Sequence, residues 1–209
     1  SITTSSEYII TNLTAVKTGL FFGSFNPVHV GHLIIANYVC EFTDVEEVWM
    51  VISPLNPLKD RNQLLSADIR FSLVKKAIGN YPHLHVSDIE LHLPVPSYTV
   101  NALKTLENRY KNREFVLILG ADSLIQFHEW KNWQEIAYNY TRYIYPRRGI
   151  DLSEVDLTNC RLLDAPLIDI SSTMIRDALS AGKDVRFYLP SEIREEILSH
   201  YASGSSRTT

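Results

Sequence analysis

Two cysteines in 209 residues, Cys40 and Cys160, are too few and too widely separated for a disulfide framework or a zinc site, and they suit a reducing cytoplasm. No apolar run approaches the roughly 18 residues that span a bilayer. The opening stretch also lacks the basic-then-apolar order of a secretory leader, so neither membrane insertion nor export is expected. Positive charge is not in excess: a net charge of −4 gives no overall basic field for nucleic acid. Any anionic ligand must then be met by a local arrangement of donors. Three phosphate or nucleophile signatures are missing as well. There is no GxGxxG after a strand, no GxxxxGK[ST] and no GxSxG, which excludes a dinucleotide redox fold, a P-loop and a hydrolase elbow.

What is present is the composition of an ordinary globular chain, 45% hydrophobic and 21% charged, long enough for one well-cored domain. The polar stretch over 1–15 and the tail over 203–209 fall outside the expected fold, leaving a single domain over 16–202. Within it, short β-rich runs alternate with amphipathic helical ones. KTGLFFGSF reads as a buried strand entering a glycine turn, and HLIIANYVCEF as a helix with Leu33, Ile34, Tyr38 and Phe42 near one face. Glu47 to Ser53 is the next strand, followed by a long proline-marked loop over 54–65. Ser66 can cap a helix ending at Gly79, LHVSDIEL is a strand, and Ser97 can cap YTVNALKTLENRYKN. EFVLILG is a strand that delivers ADSL. After it come a helix near Trp133 to Tyr140, a strand TRYIYP, a loop over 147–160, a strand APLIDI, and two closing helices, SSTMIRDALSAG and PSEIREEILSHY. Alternation of this kind implies a doubly wound α/β fold with a mostly parallel sheet, whose ligands sit beyond the carboxyl ends of the strands. GSFNPVH, NPLK, GADS and ISST all fall there.

Each cluster has a chemistry. Gly23, Ser24 and Phe25 can present backbone N–H groups to an anion. His29 and His32, at i and i+3, fall on the first turn of the helix that follows, at its positive end. The pair could hold a metal, clamp phosphate or satisfy loop carbonyls; a metal site needs a third ligand, and none appears at helpful spacing. Ser171, Ser172 and Thr173 mark a second helix N-terminus, with Arg176 one turn on. Alone it is a capped helix; paired with the first it becomes the other half of a triphosphate cradle.

GSFNPVHVGH together with ISSTMIR resembles the HxGH nucleotidyltransferases, and GADSL, PSYTV and Trp130 narrow the resemblance to the nicotinate-nucleotide adenylyltransferase family, over roughly Lys17 to Tyr201. The resemblance implies a Rossmann-like nucleotidyltransferase fold that transfers adenylyl from ATP, with Mg²⁺ assisting, to nicotinate mononucleotide in NAD synthesis. His29, His32 and Arg176 would be catalytic. ATP would be held by Gly23, Ser24, Phe25, His29, His32, Gly120, Asp122, Ser171, Ser172, Thr173 and Arg176. Lys59, Ser97, Tyr98, Thr99, Trp130 and Arg147 would meet the mononucleotide or phosphates, and no protein metal site is implied. Arg70 also matches a family arginine. Two departures stand out: Ser24 and Asn26 replace the common Thr and Asp, and Leu58 replaces a histidine, so one phosphate donor is absent or supplied elsewhere. Rival acceptors are nicotinamide mononucleotide and phosphopantetheine, and a nucleotide sensor without turnover is the rival of another class. Nucleic acid and membrane are not expected partners, and the oligomeric state is open, a homodimer included.

Overall fold

The computed structural model describes residues 15–54 and 64–202. The expected extension, apart from Ala15, the expected tail, and Leu58 and Lys59 lie outside the described residues.

Six parallel strands form one sheet in the order β3-β2-β1-β4-β5-β6. They are β1 (Val16–Gly23), β2 (Glu47–Ile52), β3 (Leu84–Ser87), β4 (Arg113–Gly120), β5 (Arg142–Tyr145) and β6 (Cys160–Leu162). The helices are α1 (Val30–Phe42), α2 (Ala67–Ile78), α3 (Thr99–Arg109), α4 (Ala121–Ile125), α5 (Trp133–Asn139), α6 (Ser172–Ser180) and α7 (Arg194–Ala202). The doubly wound reading therefore holds. The strands are apolar on both sides because helices cover both faces. Alternate residues serve opposite cores: Val48, Met50 and Ile52 of β2 meet Ile35 and Val39 of α1, while Trp49 and Val51 meet Leu103 and Leu106 of α3. Strand order reverses between β1 and β4, so the loops leaving these neighbours diverge and open a crevice at their carboxyl ends.

Local expectations need four corrections. The stretch 165–170 is not a strand; Pro166 cannot donate to a ladder, and Leu167 is 57% exposed. The sixth strand is instead Cys160–Leu162, beginning at the last residue of the expected loop, and Leu163 N–H beyond it also reaches Ile144 O at 2.8 Å. The third strand ends at Ser87, and Ile89–His92 form a single 3₁₀ turn. Ser97 does not cap its helix: α3 starts at Thr99 with Tyr98 as an N-cap whose side chain makes no capping bond. On α1 the buried face is Ile35, Ala36 and Val39, whereas Phe42 is 73% exposed and stacks on Tyr38 at the surface. Ser66 does cap α2, accepting from Ile69 N–H, and Gly79 closes it at φ 61°.

Candidate active site

The segment leaving β1 is tightly constrained. Phe25 is fully buried and holds φ at 47°, a left-handed conformation that costs a bulky residue roughly 1–3 kcal/mol. Its ring fills the space a side chain on Gly23 would need, the nearest ring atom lying 3.0 Å from an added Cβ. Arg70, 1% exposed, holds the surrounding backbone in place. Its Nε donates to Leu65 O, and its Nη1 donates to Ser24 O at 2.7 Å and to Ser53 O at 2.8 Å. The unassigned arginine of the sequence is thus a staple between the loops after β1 and β2. Asn26 Oδ1 accepts from Leu65 N–H, so the amide in place of the family's carboxylate still anchors the chain.

His29 caps α1 and His32 is its third residue. The two rings stack with centroids 3.6 Å apart, and each Nδ1 accepts the other residue's backbone N–H, at 3.2 and 3.4 Å. This is a capping box made of imidazoles. With both Nδ1 atoms accepting, each neutral ring carries its proton on Nε2. Burial, then the nearby Arg147 guanidinium, pushes His29 down to about 4; burial, His29 and Arg147 hold His32 well below the usual imidazole range. At neutral pH both rings are uncharged Nε2–H donors.

The ISST junction lies directly against this one. Ser172 Oγ donates to Pro27 O at 2.9 Å, and Arg176 Nη1 donates to Asn26 O at 2.8 Å. Ser171 caps α6 by accepting from Met174 N–H, which leaves the Ser172 and Thr173 N–H groups without intrahelical partners. Val30 and Gly31 at the start of α1 are in the same position, since His32 N–H and Leu33 N–H go to His29. Two helix N-termini therefore border one cavity of about 190 Å³, lined by His29, Gly31, His32, Asp122, Arg147, Ser171 and Ser172. Anions are favoured at such ends.

Gly120 ends β4 and Asp122 follows in the first turn of α4, where it makes no cap; its carboxylate lies 3.8 Å from Arg147 Nε. A Cβ on Gly120 would meet Asp122 Oδ1 at 2.5 Å and the Tyr145 ring at 3.0 Å, so a side chain there would displace both neighbours from their places at the cavity. Thr173 and Arg176 stand beside the cavity rather than in its wall: Arg176 Nη2 bonds Thr173 Oγ1, and its buried Nε has no partner. Ser24 is exposed.

A second hollow of about 240 Å³ adjoins the first, sharing Phe21, Ser123 and Tyr145, and is lined also by Gly23, Ser53, Glu90, Thr99, Gly120 and Trp130. Trp130 leans on Phe127 with ring centroids 5.1 Å apart, and Lys131 Nζ lies 4.4 Å from the Tyr98 ring. Of the sequence-predicted positions, Gly23, His29, His32, Thr99, Gly120, Asp122, Trp130, Arg147, Ser171 and Ser172 line these two adjoining hollows, with Glu90 and Tyr145 as additions, whereas Ser24, Phe25, Ser97, Tyr98, Thr173 and Arg176 are not in their walls. Glu90 had a weak signal, the second of two carboxylates, after Asp88, in the run VSDIEL. Among the described residues no group of three His, Cys, Asp or Glu side chains could hold a metal ion, and no helix is long and apolar enough to cross a membrane.

A family model described as cytidylyltransferase-like matches residues 20–178. A probable nicotinate-nucleotide adenylyltransferase of Cytophaga hutchinsonii is 48% identical over 185 residues, 88% of this chain and 96% of that protein. One of Bacteroides fragilis is 43% identical over 187 residues, 89% and 93% of the two chains. The fold also matches that of the Plasmodium falciparum nicotinic acid mononucleotide adenylyltransferase complexed with NaAD, at a TM-score of 0.76 and 21% identity over 89% of this chain and 97% of that one. Identity of this order along nearly the full length of both chains makes this chain a member of the nicotinate-nucleotide adenylyltransferase family.

Proposed function

We propose that this chain transfers the adenylyl group of ATP to the phosphate of nicotinate mononucleotide, forming deamido-NAD and pyrophosphate. A phosphate oxygen of the mononucleotide attacks the α-phosphorus, and the bond from that phosphorus to the bridging oxygen of the β,γ unit breaks. No protein nucleophile is needed; positioning and electrostatics do the work. The observation that carries the reading is the contact of the two helix N-termini, fixed by Ser172 Oγ on Pro27 O, around the cavity of His29 and His32.

In this reading the Nε2–H groups of His29 and His32 donate to the triphosphate where charge develops as pyrophosphate leaves. Neutral rings suit that task, because each is a fixed N–H donor that keeps its proton at neutral pH. The unpartnered N–H groups of Ser172 and Thr173 take the β and γ groups, and Arg176 lies one turn behind them with Nε still to be satisfied. Asp122 and Gly120 meet the adenosine ribose, and Arg147 bridges toward phosphate. Gly23, Ser24 and Phe25 form the loop under the α-phosphate. In the adjoining hollow Trp130 stacks on the pyridine ring, while Ser97, Tyr98 and Thr99 at the uncapped start of α3 face its carboxylate. Lys59 serves the mononucleotide phosphate. Asp122 is the carboxylate at the cavity that would stand near a Mg²⁺ ion entering with the nucleotide, and such an ion would supply neutralisation of the charge on the leaving group. Residues 16–202 work as one unit, in the cytoplasm.

The test is pyrophosphate release from ATP and Mg²⁺ with nicotinate mononucleotide, nicotinamide mononucleotide or phosphopantetheine as acceptor. Release with the nicotinate compound at the highest kcat/KM is expected. ATP binding without release from any acceptor would mark a sensor and defeat the proposal.

A further inference from the structure

Glu90 is 5% exposed, yet it lines the hollow that also presents Trp130 and Thr99. The 3₁₀ turn Ile89–His92 places it there, at the carboxyl end of β3 and against the start of α3. Among the described residues lining that hollow no cation faces it, and it is the only carboxyl. The Ser53 and Ser97 hydroxyls lie against the carboxyl, which itself forms part of the wall of the hollow.

Resting on the adenylyl-transfer reading above, we propose that Glu90 is a specificity-determining residue: its carboxylic acid donates a hydrogen bond to the carboxylate of the nicotinate ring, with Ser97 Oγ as a second donor. The other groups that face Glu90 do not supply a charge to ionise it. On α2, Arg70 stands behind Ser53 and spends Nη1 on the carbonyls of Ser53 and Ser24. Across the hollow on β5 is the Tyr145 phenol, pushed up to about 12 by burial and by Asp122. On its own turn, His92 pairs outward with Asp88 at 2.9 Å. Ser97 and Thr99 before and at the start of α3, and Ser123 on α4, do not ionise in the range that matters. Burial accordingly pushes the Glu90 carboxyl up, against the weaker pull of the two serine hydroxyls.

A consequence separates acid from amide. Placing the nicotinate carboxylate beside an ionised Glu90 would set two like charges in a site shielded from water, so binding of the acid requires the proton on Glu90. The amide has no such requirement, because its NH₂ can donate to an ionised Glu90. Above the pKa of the free site, the dissociation constant of the acid should rise by up to tenfold per pH unit relative to that of the amide.

The experiment is calorimetric titration of the whole protein with each mononucleotide between pH 6 and 9, in two buffers of different ionisation enthalpy. The expected results are net proton uptake with nicotinate mononucleotide beyond that seen with nicotinamide mononucleotide, and an acid-to-amide affinity ratio that falls at least tenfold across the range. E90Q, of the same size and always neutral, should abolish both effects while retaining binding of the acid. Equal proton uptake for the two ligands in the wild-type protein overturns the inference without need of any variant, as does an unchanged difference in E90Q. Binding of neither mononucleotide would overturn the adenylyl-transfer reading itself, and this inference with it.

Discussion

Gly31 separates the two histidines in sequence, and Gly31→Ala tests whether their geometry is the catalytic device. A Cβ there would lie 2.8 Å from His29 Cε1, 2.9 Å from its Nδ1 and 3.3 Å from Ile168 Cγ2. Comfortable carbon contacts are roughly 3.5–4.0 Å, so the His29 ring must move by several tenths of an ångström or more. That motion breaks the bond from His32 N–H to His29 Nδ1, already 3.4 Å long, and unstacks rings 3.6 Å apart. Losing the cap costs about 1 kcal/mol and the crowding about 1–3 kcal/mol, against about 1 kcal/mol gained by replacing glycine in a helix. A net loss of about 1–3 kcal/mol lowers Tm by roughly 2–12 °C in a protein of this size. Displacing an aimed donor should cost about 100-fold in kcat with a smaller change in KM for ATP. The assays are thermal unfolding and steady-state pyrophosphate release. A G31A protein with wild-type Tm and kcat would refute the reasoning, because the clash would then be absorbed without moving the ring.

His32→Ala should lower kcat by roughly 10²–10³ while ATP affinity changes little; a raised KM alone would mean that the ring serves only ground-state binding. Trp130→Ala should raise KM for the mononucleotide and leave ATP binding intact, as measured by calorimetry with each ligand; equal damage to both would make Trp130 structural. A pH effect on stability follows from His29. Its folded value near 4 lies below the ordinary 6.5, so its contribution is fully present above about pH 6.5 and is lost as pH falls toward 4, roughly 3 kcal/mol in all. Urea denaturation at pH 7, 5.5 and 4.5 should show that decline, and His29→Asn, which keeps a capping side chain, should make it shallower.

The parts of the fold legible in sequence were those whose apolar pattern is shared by both faces of the sheet, β1, β2 and β4, and the two junctions whose glycine, histidine and serine spacing has a physical use. The parts that misled had patterns without the means to use them. APLIDI alternates like a strand, yet Pro166 denies it a ladder, while the three residues of β6 are too few and too exposed to announce themselves. Ser97 looked like a cap because a serine before a helix usually is one; here its hydroxyl is turned inward toward Glu90, a tertiary contact no local rule reports. Arg70 and Glu90 were opaque for the same reason: a charged residue in an amphipathic run reads as solvated until its burial is known.

The most direct measurement is a crystal structure of the protein with a non-hydrolysable ATP analogue and Mg²⁺. The triphosphate should lie between the first turns of α1 and α6, with His29 Nε2 or His32 Nε2 and the Ser172 or Thr173 N–H within about 3 Å of its oxygens. A nucleotide seated elsewhere, for example in a separate hollow of about 480 Å³ lined by Phe127, Tyr138 and Arg142, with the histidine crevice left to water, would contradict the proposed mechanism.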